Sequence, residues 1–84
     1  MKQVWIRFCD EGKSDSGKTS RFSVRAKDGG ALLGEVRWFG RWRKYAFFPE
    51  ELAVFEQDCL RTIADFCEAQ SKEHRGQPHV EVGA

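Results

Sequence analysis

Long apolar runs are missing from this chain. The longest are four residues, 45–48 among them, whereas a helix needs about 20 to cross a bilayer. No membrane role is expected. Histidine is scarce: only His74 and His79 occur, both near the C-terminal end. A hydrolytic site needs a nucleophile beside a base, or two placed carboxylates, on rigid elements. The sequence offers no such group, so no catalytic residue and no enzyme activity are expected. Cys67, His74 and His79 match no zinc spacing and lack a fourth ligand. No metal or cofactor is expected.

Cysteine is limited to Cys9, Cys59 and Cys67. An odd count argues against a secreted disulfide framework. The first residues run straight into strand-like sequence, without an apolar targeting stretch. The expectation is a cytoplasmic protein with reduced thiols. Cys59 and Cys67 lie two helical turns apart and read as small buried apolar residues.

What is present is aromatic and charged. The 84 residues include seven Phe, three Trp and one Tyr, with 32% charged residues. That suits one small folded domain, 1–84, rather than a disordered chain. The net charge of +1 hides a partition. Residues 1–48 hold eleven Lys/Arg and five Asp/Glu, whereas 49–84 hold three and eight. The chain divides into a basic half over 1–48, an acidic helix over 49–75 and a loose tail over 76–84. Such a division neutralises itself when helix packs on sheet, or presents a basic face to an acidic partner.

Period-two alternation predicts strands over 3–9, from Phe22 to Ala26, from Leu32 to Phe39 and from Trp42 to Phe48. Residues 10–20 read as a polar loop, and Asp28-Gly29-Gly30 as a turn. Gly40-Arg41 at hairpin spacing suits a two-residue turn, which sets Trp38 opposite Arg43, Val36 opposite Tyr45 and Gly34 opposite Phe47. Pro49, Glu50 and Glu51 suit a helix start. Leu52, Phe55, Cys59, Ile63, Phe66 and Cys67 recur at helical spacing from about 51 to 73, with Gly76 and Pro78 as stop signals. The expected fold class is α+β: a four-stranded antiparallel meander with one C-terminal amphipathic helix packed on one face. One helix cannot cover both faces, so the second face stays wet or binds something.

Residues Gly12-Lys13-Ser14-Asp15-Ser16-Gly17-Lys18-Thr19 match the phosphate-loop pattern. That chemistry requires the loop to run into a helix whose amides hold the phosphates. Here Arg21 to Ala26 alternates as a strand, so a nucleotide-binding loop is rejected. Loose phosphate contact by Lys13 and Lys18 is the weaker use that survives.

Positions 37–48 concentrate six aromatic and four basic residues. Rings of this kind either fill a small core or form a stacking platform for unpaired bases, with cations tracking phosphates. The platform reading names Arg37, Phe39, Arg41, Trp42 and Lys44 on the hairpin, with Arg21, Arg25 and Lys27 on the neighbouring strand.

The run Trp38-Phe39-Gly40-Arg41-Trp42-Arg43-Lys44-Tyr45-Ala46-Phe47-Phe48-Pro49, followed by Val54-Phe55-Glu56 and Cys59-Leu60-Arg61-Thr62-Ile63-Ala64-Asp65-Phe66, resembles a group of short phage- and prophage-encoded proteins. The likeness covers residues 33–67. It departs from the group at Arg41, where Pro is usual, and at Ala53, where Thr is usual. The resemblance implies a bacterial or phage setting and a non-enzymatic accessory role, and transfers no residue roles.

Two functions follow. One is binding of single-stranded nucleic acid through the basic aromatic sheet face. The alternative is a protein-interaction module that modulates a host protein through an acidic helix face (Glu56, Asp58, Asp65, Glu68) or through the hairpin. A homodimer paired through a strand edge is compatible with both.

Overall fold

The computed structural model describes residues 5–75. Four strands, β1 (Ile6–Lys13), β2 (Ser20–Ala26), β3 (Leu32–Phe39) and β4 (Lys44–Pro49), precede one helix, α1 (Gln57–Arg75). The strands form one antiparallel sheet in chain order. The α+β meander with its C-terminal helix is thus the observed fold. No helix among the described residues is long and apolar enough to cross a membrane.

Alternation decides the layers. Ile6, Phe8, Phe22, Val24, Val36, Tyr45 and Phe47 turn to one face, where Cys59, Ile63, Phe66 and Cys67 of α1 meet them. Phe66 lies flat on Phe8, with ring centroids 3.9 Å apart, and meets Phe22 edge-on at 4.9 Å. Phe55 meets Phe47 edge-on at 5.1 Å. Such ring pairs add about 0.5–1.5 kcal/mol each beyond the area they bury.

Several boundaries differ from the sequence expectation. β1 continues to Lys13, through residues read as loop. A strand at the sheet edge needs backbone partners and no apolar side chains, and polar residues suit it. The register shifts between Asp10 and Lys13, and Gly12 takes a φ of 98° there. Residues 3 and 4 of the expected strand lie outside the described residues.

The β3–β4 connection is four residues, 40–43, instead of two. Phe39 pairs with Lys44, Trp38 with Tyr45, Val36 with Phe47 and Gly34 with Pro49. Arg43 closes the loop in the left-handed region at φ 57°. The expected register was therefore off by two residues. An even shift leaves every side chain on its face.

The helix starts at Gln57 rather than near 51. Pro49 stays in β4, where its missing N–H falls on the outer edge. Residues 50–53 make a turn, with the Ala53 N–H donating to Glu50 O at 3.2 Å. Leu52 sits at φ 67° and is 93% exposed. It does not join the core as its spacing suggested. Phe55 reaches the core from ahead of the helix. Glu56 caps α1: its carboxylate accepts the Asp58 N–H at 2.6 Å and its carbonyl accepts the Leu60 N–H at 3.0 Å. The acidic helix assigned to 49–75 is thus a turn followed by a shorter helix. The latter carries four acids and three Lys/Arg, so most of the excess acid precedes it. The stop signals Gly76 and Pro78, and the tail, lie outside the described residues.

β4 is an edge strand, and two of its outward backbone positions offer no free donor. Buried Ser71 of α1 accepts the Tyr45 N–H at 2.9 Å, and Pro49 has no N–H to offer. This bond also pins the C-terminal half of the helix to the sheet.

Two substitutions test the packing. Ser71→Ala strands the Tyr45 N–H, and a loss of about 1–3 kcal/mol is expected. A Cβ on Gly34 would stand 2.6 Å from Phe47 Cε1 and 2.8 Å from the Phe48 carbonyl. Gly34→Ala should therefore cost about 1–3 kcal/mol. Urea unfolding followed by tryptophan fluorescence measures both.

Candidate nucleic-acid interface

The sheet face away from α1 carries the odd residues of β2 and β3 and the even residues of β4. Its centre is Glu35. Arg21 donates to Glu35 Oε2, from Nε at 2.7 Å, and its second guanidinium nitrogen lies 2.6 Å from the same oxygen. Arg37 Nε donates to Glu35 Oε1 at 3.0 Å. One carboxylate therefore holds two guanidinium groups. Arg37 also lies over the Phe48 ring, 3.7 Å from its centroid, a cation–π contact of about 0.5–1 kcal/mol on an open surface.

Toward the hairpin end the face becomes aromatic. Phe39 meets Phe48 at 6.0 Å and Trp42 at 4.8 Å, both edge-on. Trp42 is 64% exposed. Arg41, Arg43 and Lys44 around it are all exposed, and among the described residues none of the three forms an ion pair. The tip 40–44 thus joins an open indole to three uncompensated cations. Trp38 turns the other way, packing edge-on against Tyr45 at 5.6 Å and tilted against His74 at 4.5 Å. The two tryptophans of the hairpin divide between core and surface.

The expected site residues separate into three groups. Arg37, Phe39, Arg41, Trp42 and Lys44 come together at the hairpin end. Arg21 joins them across the sheet, since it pairs with Arg37 in the register, yet its charge is spent on Glu35. Arg25 and Lys27 lie toward the opposite end. Arg25 donates to Gly30 O at 3.1 Å, and Lys27 sits in the β2–β3 turn. Sequence reasoning missed Arg43, which the shorter turn had set opposite Trp38. It also missed Glu35 and Phe48 as partners of Arg37. The Glu35–Arg37 spacing of two on one strand was the available signal.

The acidic residues of the alternative reading are largely engaged. Glu56 is the helix cap, Asp58 lies 3.4 Å from Arg61, and Glu68 lies 3.7 Å from Lys72. Asp65 is exposed.

The phosphate-loop look-alike runs into β2, not into a helix. Its turn is closed by bonds from the Ser14 N–H to Thr19 O at 2.8 Å and from the Gly17 N–H to Ser14 O at 2.9 Å. Lys13 and Lys18 line a small cleft of about 130 Å³ with Tyr45, His74 and Glu73. The Ser20 N–H donates to the Tyr45 hydroxyl there at 3.0 Å. His79, the third residue of the rejected metal grouping, lies outside the described residues.

The thiols of α1 are shielded. Burial pushes Cys59 up from its ordinary 9.0, a hydrogen bond with the Trp5 backbone partly opposes this, and the Glu56 carboxylate adds to the rise. Burial alone pushes Cys67 up.

No family model matches the chain, and no solved structure matches it. Over 58 residues the chain is 33% identical to the uncharacterised 9.3 kDa protein of Acholeplasma phage L2. The match spans 69% of this chain and 74% of the phage protein.

The thiol shifts set a pH dependence. The unfolded chain ionises its cysteines near 9.0, the folded chain only above that. Their contribution to stability is complete below pH 9 and is lost as pH rises through the raised values. The melting temperature of the Cys59→Ala/Cys67→Ala variant should therefore fall less steeply above pH 9 than that of the parent, as followed by circular dichroism.

Proposed function

The chain belongs to the family of the phage L2 9.3 kDa protein, and we propose that it is a phage-type accessory protein that binds single-stranded nucleic acid inside the bacterial cell. The tip of the β3–β4 hairpin is the contact surface. One observation carries this reading: Trp42, 64% exposed, stands among Arg41, Arg43 and Lys44, none of them ion-paired within the described residues.

An unpaired base stacks on an exposed indole whatever its identity, at about 1–3 kcal/mol. Cations that no carboxylate neutralises are free to replace the counterions of phosphates. Phe39 stands nearly perpendicular to the indole, 4.8 Å between ring centroids, and Trp42 keeps 64% of its surface exposed. Arg37 and Arg21 contribute less, because Glu35 already compensates them. The role is one of binding, with no reacting group at the tip. The alternative surface on α1 has less support, since three of its four carboxylates already have local partners.

Fluorescence anisotropy with labelled single-stranded DNA, single-stranded RNA and duplex DNA tests this. Single strands should bind more tightly than duplex. Three neutralised phosphates give a log–log salt slope of about −2, so affinity should drop about 20-fold between about 50 and 200 mM salt. Trp42→Ala should weaken binding by about 5- to 150-fold. The Arg41→Ala/Arg43→Ala/Lys44→Ala variant should lose both affinity and salt dependence. Unchanged binding by that triple variant would falsify the proposal.

A further inference from the structure

The six exposed large apolar side chains among the described residues are not scattered. Trp42 stands alone at the hairpin tip; Trp5, Leu32, Leu52, Val54 and Leu60 belong to the other end. The register shows this. Ile6 pairs with Ala26, Arg25 with Leu32, and Gly34 with Pro49. The starts of β1 and β3 and the ends of β2 and β4 therefore share one end of the sheet. Residues 50–56 leave from there, and Leu60 lies in the first helical turns. The pairs from Gly34 with Pro49 to Phe39 with Lys44 separate the two ends by roughly 17 Å.

Leu52 and Val54 are extreme cases, 93% and 88% exposed. Leu52 also holds a φ of 67°, a left-handed conformation that is unfavourable for a non-glycine residue. Backbone strain of this kind persists where the surrounding structure holds it, and it is a reason to ask what the segment does. Within the segment itself the charge has one sign, although Arg25 and Lys27 lie at the same end of the sheet and Glu50 shares a cleft with Arg25. Residues 50–56 carry Glu50, Glu51 and Glu56 and no base, whereas 40–44 carry three bases and no acid.

We propose that the 50–56 end of one molecule receives the hairpin tip of a second copy, head to tail. The second copy's Trp42 would pack on Leu52 and Val54, and its Arg41, Arg43 and Lys44 would face Glu50, Glu51 and Glu56. Surfaces at opposite ends make a heterologous contact, so association extends into short chains rather than stopping at a dimer. The contact is small, so it is weak and exchanging. This inference goes beyond strand binding and does not rest on it. Both use Trp42, so each tip serves one role at a time.

Sedimentation equilibrium of the full chain, without nucleic acid, tests it. The mean mass should climb above 9.7 kDa as concentration rises from about 10 µM to about 1 mM, and less so at about 1 M salt, where charges are screened within about 3 Å. Trp42→Ala should remain monomeric. So should Leu52→Gly/Val54→Ser, whose melting temperature should not fall, because glycine accepts the left-handed backbone. An equimolar mixture of the two variants retains one tip and one receiving end. It should form a 1:1 dimer and nothing larger. A parent that stays at monomer mass throughout overturns the proposal. So does a mixture that stays monomeric while the parent associates, which is the behaviour of a two-fold symmetric interface. Strand binding should be intact in the Leu52→Gly/Val54→Ser variant, so failure of either idea is seen separately.

Discussion

A single helix has one apolar stripe, and a four-stranded sheet has two faces. Here α1 lays Cys59, Ile63 and Phe66 on the face that carries Phe8, Phe22, Val24 and Val36. The stack of Phe66 on Phe8 and the bond from the Tyr45 N–H to Ser71 hold it there at two places along its length. Everything else in the molecule follows from the face left over. Among the described residues, no layer covers Arg21, Glu35, Arg37, Phe39 and Phe48. They satisfy one another instead, through a shared carboxylate and a guanidinium over a ring.

That arrangement changes the meaning of the basic half. A count of lysines and arginines suggests a broad positive face. The tertiary structure compensates its centre with Glu35, and among the described residues no ion pair forms at the hairpin tip. The surface best suited to phosphate is therefore a projecting corner, with Trp42 as its apolar element. Steering by such a corner is local and strongly screened by salt.

The acidic half is redistributed in the same way. Within α1, Asp58 and Glu68 find bases one turn away, pairs worth a few tenths of a kcal/mol. Glu50 and Glu51, which form no ion pair among the described residues, lie in the seven residues before the helix, beside the two most exposed aliphatic side chains of the described chain. The two exposed apolar sites differ in their chain neighbours: an indole among cations at the hairpin tip, and aliphatics among glutamates in residues 50–56.

The order of elements, the α+β class and the bounds of β3 were legible in the residues. They depend on period-two and period-3.6 alternation, which the local sequence carries whole. The hairpin register was not legible, because Gly40 accommodates either a two-residue or a four-residue loop, and an even slip conserves the alternation. The helix start was misread because Leu52 and Phe55 fall in phase with Cys59. Phe55 meets Phe47 from a non-helical turn, a contact that spacing along the chain cannot reveal. Among the expected site residues, adjacency in sequence placed Phe39, Arg41, Trp42 and Lys44 together. Only packing across strands could tell that Arg21 and Arg37 share a carboxylate, that Arg25 and Lys27 lie toward the far end, and that Trp38 is covered while Trp42 is bare. Alternation is a property of neighbours along a chain, whereas exposure and charge compensation depend on what the other strands and the helix bring alongside.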